Sequence, residues 1–269
     1  MSNEKPKLVV FADLDGTLLD DTYSYESAKP IITKILSMGV SIVFCSSKTR
    51  AEIEHYRQKM GVCDPFIVEN GGAIIIPKNY FPFIPMCSKH TEKYDIVGLG
   101  VPYAVVREKL ARIKFETGAG IIGFGDLTAE EVAAETGLPL SLARLAKKRE
   151  YDEPCRLLWG NEKEVLAAVE KEGLVLVKGG RYFHLLKGSD KGKATAALKD
   201  LYAKAFSRTV TFGVGDSPVD TPMLKVVDVP FLVRNFSRGK NARLVVWRNV
   251  LRLVTKEARS EPAFSVLAG

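Results

Sequence analysis

The chain has 269 residues, 46% of them hydrophobic and 26% charged, with a formal net charge of +7. That balance supports one large folded domain or two moderate ones and excludes the disordered and membrane-embedded classes. The charge is modest and its basic residues are dispersed, so an ordinary solvated surface is expected and no nucleic-acid partner.

After MSNEKPK comes LVVFADLDG, where an acidic residue arrives too soon for a signal peptide or a spanning helix, so a cytoplasmic protein is expected. LVVFADL reads as a buried strand because its apolar residues are continuous and not alternating. AKPIITKILSMG has apolar residues at helical spacing and stops at Gly39. SIVFC is a short β-branched run. In TRAEIEHYRQKMG a helix follows, with Thr49 and Glu52 matching a capping box and Gly61 a C-cap. FIVEN and AIIIP read as further strands, and the alternation implies right-handed βαβ units and a parallel sheet.

From about Ser88 to Arg181 the grammar changes. A helix (YAVVREKLARIKFETG) and strand-like IIGF precede two helices, TAEEVAAETG and PLSLARLAKKR. Then come a strand (CRLLW), a helix (EKEVLAAVEKEG) and a strand pair in LVLVKGGRYFHLL around Gly179 and Gly180. The opening grammar returns in the helix KGKATAALKDLYAKAF, the strand VTFGV, the short helix DTPMLKVV and the strand FLV. From Arg238 the end is basic and helical, with fraying last residues. The expected fold is α/β: a Rossmann-like parallel core from residues 1–87 and 188–269, carrying an α/β insert over residues 88–187. Cys45, Cys63, Cys87 and Cys155 form no CxxC pair and read as reduced thiols. Zinc is not expected, since no Cys or His pair has ligand spacing.

Two acidic clusters end apolar runs: Asp13 and Asp15 in LVVFADLDGTLL, and Asp216 and Asp220 in TFGVGDSPVDTPML. Carboxylates at strand ends suit a hard divalent cation shared with substrate phosphate, Mg²⁺ foremost. Ligands of open parallel sheets bind beyond the carboxyl ends of the strands, so Asp13, Ser46 and Asp216 could line one crevice. An aspartate there can act as nucleophile, and a second one two residues on can protonate a leaving alkoxide and later deprotonate water. Gly16 permits close approach to phosphate and Thr17 adds a hydroxyl.

DLDGT, Ser46 in FCSSKT, Lys191 in SDKGKA, and GDSPVD resemble, in order, the four motifs of the haloacid-dehalogenase-like phosphohydrolases. FCSSKTRAE, ENGGAII, LTAEEVAAETGLPLSLARLAKKREYDEP and GRYFHLLKGSDKGKA resemble, within that superfamily, the mannosyl-3-phosphoglycerate phosphatases. The resemblance implies a Mg²⁺-dependent phosphomonoesterase with a substrate-selecting cap over residues 88–187. Asp13 would attack phosphorus and Asp15 serve as acid and then base. The metal would sit among Asp13, Asp15, Asp216 and Asp220. Ser46 and Lys191 would assist catalysis, the lysine by neutralising charge near Asp13. Substrate contacts are expected from Thr17, Ser47, Asn70, Arg149, Glu153 and His184.

Val219 departs from the fourth motif, which usually has Asn before its last Asp, and so removes a polar support of the metal. The expected reaction converts mannosyl-3-phosphoglycerate to mannosylglycerate and phosphate; glucosyl-3-phosphoglycerate, sucrose phosphate or another sugar phosphate are alternatives. A non-catalytic binder of sugar phosphate or nucleic acid, using the basic tail, is the reading from another class.

Overall fold

In the computed structural model, which describes residues 5–233 and 242–259, strand β1 (Lys7–Ala12) lies inside a parallel sheet. Its unbroken apolar run follows from that place, since Val9 to Ala12 are wholly buried and need apolar side chains on both faces. Helix α1 (Lys29–Leu36) returns the chain to β2 (Ser41–Phe44), which pairs in parallel with β1. Helix α2 (Arg50–Met60) has the anticipated box. The Thr49 side chain accepts from the Glu52 amide, the Glu52 carboxylate accepts from the Thr49 amide, and Gly61 closes the helix in a left-handed conformation.

The next two strands differ from expectation. β3 (Phe66–Val68) touches the parallel sheet only through a bridge between Cys45 and Ile67, then folds back on β4 (Ala73–Pro77) as an antiparallel pair. The ENGG linker between them is too short for the crossover that parallel pairing needs. β5 (Lys89–His90) and β6 (Tyr94–Gly98) extend this sheet in the order β3-β4-β6-β5. Residues 89–98, expected inside the insert, thus hydrogen-bond to the β3–β4 hairpin.

Beyond Gly100 come α3 (Tyr103–Thr117), β7 (Gly120–Gly123), α4 (Ala129–Thr136), α5 (Leu140–Ala146), β8 (Glu153–Trp159), α6 (Glu162–Lys171), β9 (Val175–Lys178) and β10 (Phe183–Leu186). The strands form an antiparallel sheet, β7-β8-β10-β9, backed by α3 and α6 through Val106, Leu110, Ile113, Val165 and Val169. Helices α4 and α5 turn the other way, burying Val132, Leu142 and Ala143 in the main core beside Ile53 and Tyr56.

The chain re-enters the parallel core with α7 (Lys191–Ala205), β11 (Thr209–Gly215), α8 (Thr221–Val226) and β12 (Val229–Leu232), giving the order β12-β11-β1-β2. Helix α9 (Ala242–Arg259) packs on α1 and buries Trp247, Val250 and Val254 completely. The segment expected to be a basic tail is therefore an amphipathic element of the core. Arg238 and the last residues, expected to fray, lie outside the described residues. No helix among the described residues is long and apolar enough to cross a membrane.

Candidate active site

From β1 the chain proceeds outward to β2 and β3 on one side, while β11 and β12 occupy the other, so the strand order reverses beside β1. The crevice at such a reversal receives the loops after β1 and β11, which carry Asp13 and Asp216. Gly16 brings them together. At φ +74° it occupies a conformation that L-residues rarely adopt, and a Cβ there would lie 2.1 Å from Asp216 Oδ2.

Lys191 opens α7 and is buried. Its ammonium donates to Asp13 Oδ1 at 2.7 Å and to Asp220 Oδ1 at 2.5 Å. The α7 N-terminus is seated against the ENGG turn, where a Cβ on Gly71 would lie 2.2 Å from the Asp190 carbonyl oxygen. Carboxylate oxygens of Asp13, Asp216 and Asp220 all fall within 4.8 Å of one another. Burial pushes the Asp13 carboxyl well above the usual range, Lys191 opposes that, and the charges of Asp220 and Asp15 add to it. Burial and then the Asp220 charge raise Asp216 to about 6. Three crowded carboxylates facing one ammonium are the environment a divalent cation relieves, and the all-oxygen donor set fits a hard ion.

Asp220 is more committed than the other two. Its Oδ2 accepts from the Asp216 amide, the Ser217 amide and the Ser217 hydroxyl, and its Oδ1 takes Lys191. It orders the loop and the lysine around Asp216, and one of its carboxylate oxygens lies among those that could hold an ion. Val219 lines the cavity next to it.

Asp15 points one oxygen at Lys48, 3.0 Å away, while its Oδ1 is buried with no hydrogen-bond partner. These groups form the floor of a cavity of about 450 Å³ roofed by residues of the second antiparallel sheet and of α4–α5. Ser47, Asn70, Arg149 and His184 reach its wall. Asn70 sits at φ 56°, a strained conformation for a side-chain-bearing residue, and its amide nitrogen donates to Asp152 Oδ2 at 3.0 Å. His184 Nδ1 lies 3.0 Å from the same oxygen, and burial together with Arg149 and Lys191 lowers its pKa to about 3, leaving the ring neutral.

Three expected residues are not brought to the wall. Ser46 lies beneath it, 1% exposed, with its hydroxyl taking the Lys48 amide at 3.3 Å. Thr17 is wholly buried; its hydroxyl is 3.5 Å from Asp216 Oδ1 and its carbonyl takes the Trp247 indole. Glu153 is inside the insert, where it accepts from the Gly125 amide and the Tyr103 hydroxyl and faces Arg107. Arg149 reaches the wall with Nη2 on the Asp152 carboxylate and the Ser47 carbonyl and Nε on the Asp152 carbonyl.

Sequence reasoning passed over Lys48 and Glu69. Their signal is positional only: Lys48 follows β2 as Asp13 follows β1, and Glu69 precedes the strained turn. It passed over Cys87-x-x-His90 as well, where the thiol sulfur stands 3.4 Å from His90 Nδ1 beside Asp95. Lys78 holds the Asp95 carboxylate and lies 3.3 Å from His90 Nδ1.

Residues 10–84 match the model of the haloacid dehalogenase-like hydrolases. A Methanococcoides burtonii protein named glucosyl-3-phosphoglycerate/mannosyl-3-phosphoglycerate phosphatase is 45% identical over 231 residues, 85% of either chain. A Pyrococcus furiosus mannosyl-3-phosphoglycerate phosphatase is 41% identical over 249 residues, 91% of this chain and 99% of its own. A solved Thermoplasma acidophilum structure superposes with a TM-score of 0.61 at 18% identity, covering 94% of this chain and 99% of that one. A haloacid dehalogenase-like hydrolase from Bacteroides thetaiotaomicron gives 0.61 at 15% identity over 94% and 99%. At those identities the two structures speak for the fold alone.

Proposed function

The chain belongs to the haloacid dehalogenase-like hydrolases, in the family of the mannosyl-3-phosphoglycerate phosphatases, and from that premise we propose that it hydrolyses mannosyl-3-phosphoglycerate to mannosylglycerate and phosphate. The observation that carries this reading is the convergence of Asp13, Lys191 and Asp216 on one roofed cavity, with Asp15 beside them. Asp13 Oδ attacks phosphorus and forms an aspartyl-phosphate as the bond to the leaving oxygen breaks, and Asp15 delivers a proton to that oxygen. Asp15, now a carboxylate, takes a proton from water, whose oxygen attacks phosphorus, releases phosphate and restores Asp13. Lys191 holds Asp13 in place and offsets its charge as the anionic ester approaches. A divalent cation, which we read as Mg²⁺, would be held by Asp13, Asp216 and the Asp15 main chain, with Asp220 in support, and would supply the remaining charge neutralisation.

We assign substrate selection to the insert from α3 to β10, entered at 99–102 and left at Lys187. Ser47 and Asn70 from the core and His184 from the insert are the proposed substrate contacts, and the free thiols of the chain suit a cytoplasmic setting. The glucosyl ester is the close competitor, because the Methanococcoides relative carries both sugars in its name. Phosphate release would be measured with and without Mg²⁺ from mannosyl- and glucosyl-3-phosphoglycerate, sucrose phosphate and 3-phosphoglycerate. A higher kcat/KM for the mannosyl ester is expected. Equal rates across the panel would remove the assigned substrate and leave the chemistry, and no release from any ester would remove both.

A further inference from the structure

One cation beside Asp15 has no task in the reaction above. Lys48 stands between Ser47 and the N-cap of α2; it is 5% exposed, yet it lines the cavity. Its ammonium is 3.0 Å from Asp15 Oδ2 and 3.6 Å from Glu52 Oε1, with the Tyr23 and Tyr56 rings at 5.1 and 5.9 Å. Glu52 is occupied elsewhere, since its Oε2 accepts from the amide and hydroxyl of Thr49. Burial disfavours the charge on Lys48, and Asp15 and Glu52 restore it, so the group is a fixed cation at the cavity wall.

Resting on the reading that the substrate is a glycoside of 3-phosphoglycerate, we propose that Lys48 binds the glycerate carboxylate and makes the enzyme selective for phosphate esters bearing it. The substrate's own bonds set the geometry. Asp15 protonates the ester oxygen, so that oxygen lies at the Asp15 carboxyl. Four bonds of about 1.5 Å separate it from a carboxylate oxygen, a span of at most roughly 5 Å. The cation that receives the carboxylate must therefore stand within a few ångströms of Asp15, on its cavity side.

The other cavity cations are placed for other work. Arg149 is fixed in the wall, with Nε on the Asp152 carbonyl and Nη2 on the Asp152 carboxylate and the Ser47 carbonyl. Lys191 is held between Asp13 and Asp220. Arg181 is on the exposed turn after β9 and donates to the Thr136 carbonyl. A lysine ammonium offers three rotatable donors, enough to keep Asp15 and bind a second carboxylate.

The test compares kcat/KM of the wild type, Lys48→Met and Lys48→Arg on four esters. Mannosyl-3-phosphoglycerate and 3-phosphoglycerate carry the carboxylate; glycerol 3-phosphate and p-nitrophenyl phosphate do not. Lys48→Met is expected to lose on the order of 10³-fold on the first pair, much of it in KM, and about tenfold on the second, where only the Asp15 contact is lost. Selectivity for the carboxylate thus falls about 10²-fold, and Lys48→Arg regains most of it. Thermal melts establish that each variant is folded, and Lys48→Gln replaces the Met variant if that one is not. A uniform loss on all four esters would assign Lys48 to Asp15 or to the phosphoryl group and overturn the proposal. So would selectivity that survives the substitution. A wild type that prefers glycerol 3-phosphate to both phosphoglycerate esters would instead sink the substrate reading, and the proposal with it.

Discussion

Asp13 is a buried carboxylate whose charge is held chiefly by Lys191, and such a pair is weak evidence for stability because desolvation consumes most of its attraction. Its retention is better explained by chemistry, which gives a first prediction. Asp13→Asn should lower phosphate release on the order of 10⁴-fold while the melting temperature changes little, since Asn keeps the shape and Lys191 keeps Asp220. A variant with wild-type rates would remove Asp13 as nucleophile. His184 carries a second prediction. Its pKa is lowered to about 3 from 6.5, so between those values the unfolded chain binds a proton that the folded chain refuses. Stability from this residue is complete above pH 6.5 and falls with acidification, by up to about 1.4 kcal/mol per pH unit. In urea titrations at pH 7 and pH 5, His184→Asn should flatten that loss; an unchanged slope would mean that His184 is protonated in the fold. Asp13, Asp15 and Asp216 were legible because carboxylates that directly end a buried apolar run are costly to place there unless a cation or a substrate uses them. Glu153 misled because a charge next to a charged loop reads alike whether it faces substrate or the half-buried Tyr103.

At the scale of elements, the ENGG hairpin shows where sequence reading stops. Its residues look like a plain turn, yet Glu69 is wholly buried and its carboxylate accepts from the amides of Glu150, Tyr151 and Asp152 at 2.8–3.1 Å. Those donors belong to the insert, so the turn after β3 is what holds the loop before β8. Nothing in local spacing encodes a contact across some eighty residues. Glu69→Gln replaces an acceptor by a group that presents N–H to N–H, and should cost about 2–4 kcal/mol in urea unfolding. Its KM for the substrate should rise as Arg149 and Asp152 lose their anchor, whereas a merely local role would leave KM alone. Helix α9 teaches the complementary lesson: periodicity revealed a helix, but not that its apolar stripe caps α1. Trp247→Ala there should cost about 3–5 kcal/mol, because the indole fills the core and donates to the Thr17 carbonyl. A loss below about 1 kcal/mol would mean that α9 packs only marginally, the condition a nucleic-acid-binding tail would need.

Over the whole molecule the parallel core, the insert and the return to the core were legible from the switch in grammar, but the first boundary was read near Ser88, whereas residues 89–98 still pair with the β3–β4 hairpin. The β3–β4 reversal was not legible, because three-residue strands carry the same apolar signal in either direction. This long-range plan makes the site a property of the complete fold: Asp13 and Asp216 come from strand ends far apart in sequence, and only the pairing of β1 with β11 makes them neighbours. Folding must therefore bring buried carboxylates together against their mutual repulsion, and a cation that binds the assembled site and not the unfolded chain returns that cost to the whole protein. At a Mg²⁺ concentration a hundredfold above its dissociation constant the gain is about 2.7 kcal/mol. Chelation should then abolish phosphate release and lower the melting temperature together, and Mg²⁺ should restore both. Asp216→Asn should be nearly indifferent to the ion in the melt, with its apo form no less stable than the wild type, since one repelling charge is gone. A Mg²⁺-dependent rise of wild-type size in that variant would place the ion away from these strand ends.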